Sequence, residues 1–494
     1  MPLFNQFFSK LVALFGGQVS QDHLRLTFSL LIAYPMALIY KNLPANNQNL
    51  KHLFSISFAI FILFGLMDLA KAFWIMLFNS ALTYGILYFV KGPWGPKLVF
   101  LFVLGHLSIN HLYRQWNNIS LERYDPTGPH MVLVMKLTSF AFNVYDGRRP
   151  IKELTPNQKS KLIPSLPPLL EFLGYVFFFG GFLIGPSFDF MDYRRFVNME
   201  MYRIDKTDNE KNKFIKEDYK ISKRSLYVIP DGSIPAMRKL VAGFFFIVCL
   251  VTFGGKYPYD WTLGEEYKNL SFFNKLWYVQ MASFCARFRY YVIWLLAEGS
   301  CILSGIGFNG YDENGNVKWN RVTNIDIIGY ETADNIRQLL ESWNMNTNKW
   351  LKNYVYLRVT PPGQKPGFFS TIITFGISAV WHGFYPGYYL TFISGAFIQN
   401  LYRKIHRAVR PIFLTNRFAR YKPLYNVLGW LVTQTMVNYL TVSFNLLTWE
   451  NSLHVWKLLY FCVHIIIILT NISFWLGAGK ICKKITVFGG GVLD

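Results

Sequence analysis

The chain has 494 residues, of which 52% are hydrophobic and 18% aromatic, while only 16% carry charge. A soluble protein of this length carries about a quarter charged residues, so the composition excludes an ordinary soluble enzyme and points to a polytopic membrane protein. The net charge of +22 lies in loops between apolar runs, at Arg194-Arg195, 206–224 and 403–422, which reads as a surface facing anionic lipid and not as a nucleic-acid site.

The first residues lack the basic start and small-residue cleavage site of a signal peptide. Instead Leu3, Phe4, Phe7, Phe8, Leu11, Val12 and Phe15 fall on one face, with Asn5, Gln6, Ser9 and Lys10 opposite. That spacing predicts an amphipathic helix within 1–20 that lies in the membrane interface. Apolar runs follow at 24–40, 53–69, 72–90, 97–112, 169–185, 239–254, 276–299, 367–380, 387–401, 425–449 and 456–476. They approach the roughly 20 residues that cross a bilayer as a helix, and they lack the alternation of a barrel strand. The expectation is an all-α fold of about eleven spans, divided as a scaffold over 21–120, a core over 121–480 and a tail over 481–494. Breaks are expected at Pro164–Pro168 and at Pro361–Gly367, because proline removes a donor and restricts its neighbour.

Polar residues inside this greasy background are the candidates for chemistry, since an intramembrane titratable group is costly. The segment from Asp125 to Gly147 holds Lys136, Asn143 and Asp146 within apolar sequence, and reads as a cavity-lining or re-entrant element. Arg289 and Glu298 lie on one predicted helix, nine residues and about 13 Å apart, too far to pair, so each needs another partner. A phosphate or headgroup suits the arginine, and so does snorkelling to the interface.

Asn344 opens a helix-like segment with Trp343, Thr347, Trp350 and Tyr354 on one stripe and Asn348 beside it. Its amide can donate to an oxyanion in a dry site, or it can simply cap a helix. His382 lies in the apolar stretch Val380-Trp381-His382-Gly383-Phe384. Burial disfavours the charged imidazolium, which leaves a neutral ring available as a general base. Such a base contributes roughly 3–5 kcal/mol, enough for an electrophile that arrives activated, such as a thioester. Gly383 and Gly387 beside it allow close approach of a ligand. His464 reads as a packed histidine, and His106 and His111 are poorly spaced to share a metal. The five cysteines are scattered and mostly apolar in setting, which argues against a disulfide framework, a zinc site or an acyl-carrying thiol.

Taken together, these blocks resemble the membrane-bound O-acyltransferase family in its lysophospholipid acyltransferase branch. Trp381-His382-Gly383-x-x-Pro386-Gly387-Tyr388-Tyr389 is similar to that branch's histidine motif, and Trp343-Asn344-Met345-x-Thr347-x-x-Trp350 to its asparagine motif. Asp125-x-Thr127-Gly128 through Lys136, Asn143 and Asp146, and Arg289-Tyr290-Tyr291 with Trp294 and Glu298, are similar to further blocks. The resemblance covers about 125–449. It implies helices around a membrane-embedded reaction chamber in the endoplasmic reticulum. It also implies acyl-CoA as co-substrate with no bound cofactor or metal, and a lysophospholipid as acceptor, usually at its sn-2 hydroxyl. His382 is then the base and Asn344 its assistant. Trp343, Asn348, Trp350, Arg289, Tyr290, Trp294, Glu298, Asp125, Lys136, Asn143, Asp146, Trp381, Gly383 and Tyr388 become candidate substrate contacts. A neutral lipid or a protein is the alternative acceptor. A transporter is the alternative from another class, although no inverted repeat is visible between the halves.

Overall fold

A computed structural model describes residues 4–14, 20–203, 229–361 and 363–490. Among them the structure is helical, with an isolated β-bridge between Tyr311 and Val317. The predicted positions Leu3 and Phe15, the basic stretch 206–224, Pro362 and the end of the tail at 491–494 lie outside the described residues. The chain forms two compact units, Met1–Phe245 with Val292–Asn324, and Phe246–Tyr291 with Ile325–Asp494.

In the first unit the predicted amphipathic helix is α1 (Asn5–Leu14), docked on α2 (Gln21–Lys41). Phe8 is fully buried and stacks edge-on against Phe28. The buried Arg25 guanidinium donates to the Asn5 amide oxygen and, at 2.7 Å, to the Leu66 carbonyl. α3 (Gln48–Ile60) starts at Asn47, whose side chain accepts from the Leu50 N–H at 3.0 Å, and continues through a π turn to Leu66. Side-chain caps of this kind satisfy amides that the helix itself cannot. α4 (Ala70–Phe89) and α5 (Trp94–Trp116) pack against α6 (Thr127–Gly147). Of the Asp125–Gly147 segment, Thr127–Gly147 is thus one unbroken helix of 21 residues, buried around most of its circumference.

The apolar run at 169–185 does not form a spanning helix. Only α7 (Leu169–Val176) is helical, and the chain then turns through Gly180, Gly181 and Gly185. A Cβ on Gly180 would stand 2.7 Å from the Cys301 sulfur, one on Gly181 would stand 2.6 Å from the Pro186 carbonyl, and Gly185 has φ +88°. Only glycine meets these demands together, so hydropathy was the wrong guide to this stretch. The unit is completed by much of α8 (Ser233–Phe253) and by the C-terminal part of α9 (Phe272–Ser304).

The second unit runs through α10 (Ile327–Glu331), α11 (Ile336–Ser342) and α12 (Met345–Leu351), the last continued by a π turn to Tyr356. After the proline-rich break come α13 (Phe368–His382), α14 (Pro386–Ala408) and α15 (Lys422–Leu446). α14 packs on both α13 and α15. Tyr439 and Trp456 stack at 5.6 Å and 8° in the centre of the unit's core. The chain ends in α16 (Trp449–Leu458), α17 (Cys462–Trp475) and α18 (Ala478–Phe488). The run at 456–476 is therefore broken: α16 and α17 meet at 75°, with Tyr460 and Phe461 in left-handed conformation between them.

The other nine apolar runs fall on helices. Among the described residues four helical stretches, Gln21–Lys41, Gln48–Leu66, Ala70–Phe89 and Ser233–Phe253, are long and apolar enough to cross a bilayer by length and composition, and the bent pair makes a fifth if it is counted as one span.

Candidate functional site

The second unit brings His382 and the Asn344 segment onto neighbouring elements, because the π turn that ends α12 packs against α13. Trp350 and Trp381, both buried, face each other at 6.1 Å between ring centres. Each is therefore a packing residue of the helix that carries a candidate catalytic side chain.

His382 ends α13. Its Nδ1 lies 2.7 Å from the Ser378 carbonyl oxygen. A carbonyl only accepts, so Nδ1 carries a hydrogen, and in the neutral ring the lone pair is then on Nε2. The ring is held by aromatics: Trp381 at 4.7 Å, Phe392 at 4.8 Å, Phe444 at 5.4 Å and Tyr388 at 5.9 Å. Gly383 follows with φ +129° and donates its N–H to the Ala379 and Val380 carbonyls, which ends the helix beside the histidine. Gly387 serves packing and not ligand approach. Its N–H donates to the Leu447 carbonyl at 2.6 Å, and a Cβ there would stand 2.0 Å from the Ser443 oxygen.

Asn344 occupies the N-cap of α12 in left-handed conformation, φ 42° and ψ 52°. Its side chain does not cap the helix; its amide oxygen accepts from the Thr347 hydroxyl at 2.9 Å. The Asn344 carbonyl accepts from the Asn348 N–H at 3.0 Å, and the Asn348 amide in turn donates to the Leu340 carbonyl at 2.7 Å. Trp343 is wedged among Tyr330 at 4.9 Å, Tyr290 at 5.5 Å and Tyr291 at 6.1 Å. Behind these rings Arg287 grips Glu331 with two donors, at 2.9 and 2.7 Å, and also donates to Asn438 at 2.9 Å. Tyr291 donates to the same carboxylate.

Arg287 was the arginine that sequence reasoning passed over. Arg289 is exposed, donates to the Ala286 carbonyl of its own helix and lies over the Tyr290 ring. Residues two apart on a helix point about 200° apart, so only one of the two can face the core. The signal available was Glu331, a carboxylate that follows the apolar Ile327-Ile328-Gly329-Tyr330 and needs a partner. Ser378, Phe392 and Phe444 also escaped notice, because nothing separates them from other residues of a chain so rich in aromatics.

The remaining candidates lie in the first unit. Asp125 accepts from Arg114 at 3.0 Å and from the Thr127 amide at 3.1 Å, tying down the start of α6. Lys136 is enclosed, donating to the Tyr175 and Val176 carbonyls at 2.9 and 3.2 Å, where it meets the negative end of α7. The Asn143 carbonyl accepts from the Ile163 amide at 2.9 Å, and Asp146 pairs with Arg149 at 3.5 Å. Trp294 is buried. Glu298 finds its partner in Lys239, at 3.0 Å, and also accepts from the Thr323 hydroxyl. His464 is satisfied by the hydroxyls of Tyr439 and Ser394, at 3.1 and 3.4 Å. Among the described residues no group of three His, Cys, Asp or Glu is placed to hold a metal.

Residues 111–444 match the model of the membrane-bound O-acyltransferase family, a range that contains both Asn344 and His382. The chain is 42% identical over 454 residues to a lysophospholipid acyltransferase of Schizosaccharomyces pombe, covering 91% of this chain and 86% of that protein. It is 40% identical over 491 residues to a lysophospholipid acyltransferase of Saccharomyces cerevisiae, covering 97% and 77%. Against the human membrane-bound glycerophospholipid O-acyltransferase 2 the identity is 31% over 396 residues, covering 80% and 73%.

Proposed function

The chain belongs to the membrane-bound O-acyltransferase family, and on that premise we propose that it is a lysophospholipid acyltransferase. It transfers a fatty acyl group from acyl-CoA to the free hydroxyl of a lysophospholipid, usually at sn-2, in the endoplasmic reticulum membrane. The names of the relatives with 40–42% identity support the acceptor class. The observation that carries the chemistry is the 2.7 Å bond from His382 Nδ1 to the Ser378 carbonyl. It fixes the tautomer that leaves Nε2 basic and aligns the ring in its aromatic cage.

The reaction is direct transfer. Nε2 of His382 takes the hydroxyl proton as the acceptor oxygen attacks the thioester carbonyl. The Asn344 amide stabilises the oxyanion that results. The carbon–sulfur bond breaks, and the departing thiolate recovers the proton from the imidazolium, giving phospholipid and free CoA. Proton transfer supplies roughly 3–5 kcal/mol, and holding both substrates in reacting geometry supplies up to about 7–11 more. No thiol nucleophile enters this scheme.

Purified protein given labelled acyl-CoA with a panel of lysophospholipids, or with diacylglycerol, tests the reading. Label is expected in phospholipid. Label in triacylglycerol with none in phospholipid overturns the acceptor class.

A further inference from the structure

Two stretches of the second unit carry cations and no acid. Residues 403–422 contain seven Lys or Arg, and Ala478–Phe488 contains three Lys, with neither Asp nor Glu in either. They are far apart in sequence, but the fold joins them. α18 packs against the turn Arg410–Leu414 and on α14 and α17. The Arg417 guanidinium stands 4.4 Å over the Phe488 ring, and a Cβ on Gly489 would come within 2.5 Å of the Thr415 hydroxyl. Of the cations gathered here, Arg410, Arg417, Lys480, Lys483 and Lys484 are exposed, and none makes an ion pair among the described residues.

α18 is also amphipathic. Ile481, Ile485 and Phe488 share one stripe at i, i+4 and i+7, while Lys480 and Lys483 lie off it and Lys484, three residues from Ile481 and four from Phe488, borders it. Most of the apolar stripe is uncovered: Ile481 is 61% exposed, Phe488 67% and Ile485 37%. Immediately before it, at the end of the apolar α17, Trp475 and Leu476 are also exposed. An acidic protein or a nucleic acid would complement the charge but would leave this apolar stripe in water. A bilayer takes both, with the stripe in the acyl boundary and the lysines among headgroups. We propose that α18 and the 403–422 segment form one surface that binds the anionic phospholipid headgroups of the membrane in which the protein sits.

The test uses the full chain, delipidated in neutral detergent, with melting temperature read after addition of dioctanoyl phosphatidylserine, dioctanoyl phosphatidylcholine or inorganic phosphate. Phosphatidylserine is expected to raise the melting temperature beyond phosphatidylcholine, with the difference shrinking as salt is added. The variant R417Q/K480Q/K483Q/K484Q should melt as the parent does without lipid and lose the difference. K480R/K483R/K484R, which keeps the charge, should retain it. An equal response to the two lipids overturns the proposal, as does a difference that survives in the glutamine variant or vanishes in the arginine one. A matching shift with inorganic phosphate overturns it too, by assigning the effect to a free-anion site.

Discussion

Asn344 combines an unusual backbone with the amide that the proposed chemistry uses, and the two can be separated by mutation. At φ 42° an ordinary L-residue is strained, while glycine is not. Asn344→Gly therefore keeps the turn and removes only the amide. It should melt near the parent while kcat falls by about 10²–10³, the usual cost of deleting an oxyanion donor. Asn344→Ala loses the same activity and about 1 kcal/mol of stability besides. An active glycine variant would assign the asparagine to backbone geometry alone. Thr347 acts on that amide from behind, since its hydroxyl donates to the Asn344 oxygen at 2.9 Å. A hydrogen bond of about 1 kcal/mol corresponds to roughly fivefold in rate. Thr347→Val should thus lower kcat by about fivefold with KM for both substrates unchanged, and a change confined to KM would contradict a positioning role. His382→Ala is expected to abolish transfer in a protein that still folds, and substantial residual turnover would remove the histidine from the mechanism.

At the scale of elements, α14 and α15 approach so closely at Gly387 that a methyl group has no room, with the Ser443 carbonyl 2.0 Å from an added Cβ. Gly387→Ala should cost about 1–3 kcal/mol through overpacking. Gly376, on α13, has open space around its Cβ position, so Gly376→Ala should be neutral or stabilise by about 0.5–1 kcal/mol. Thermal melts of the two variants in one detergent decide whether close packing or helix propensity governs these glycines. The same contrast explains what was legible in the sequence. Long apolar runs announced most helices, since continuous hydrophobicity over about 20 residues admits few other forms. The runs at 169–185 and 456–476 misled because hydropathy is blind to backbone sign. The first is turned by glycines backed against other chain segments, and the second by Tyr460 and Phe461 at positive φ. His382 stood out as a polar group in apolar surroundings, and Asn344 as the residue that opens a helix-like segment similar to a family motif. Arg287 did not, because its identity as the gripping arginine depends on helix phase relative to Glu331, a tertiary fact.

For the whole molecule the ruling quantity is charge. A net +22 on a chain with so few ionisable residues makes a field of one sign. Such fields raise the local concentration of oppositely charged ligands and speed their arrival, over distances set by screening. The substrates of the proposed reaction can be chosen to differ in this respect: acyl-CoA carries several phosphate charges, and lysophosphatidylcholine, as a test acceptor, is zwitterionic. The Debye length falls from about 10 Å at 0.1 M salt to about 3 Å at 1 M. KM for acyl-CoA should therefore rise by about three- to tenfold across that range, with kcat and KM for lysophosphatidylcholine nearly constant. Initial rates at several salt concentrations, with each substrate varied in turn, measure this directly. If both KM values rise together, salt acts on the fold or the micelle and not on encounter. If neither moves, the positive charge serves the membrane alone, and acyl-CoA is gathered by short-range contacts that screening leaves intact.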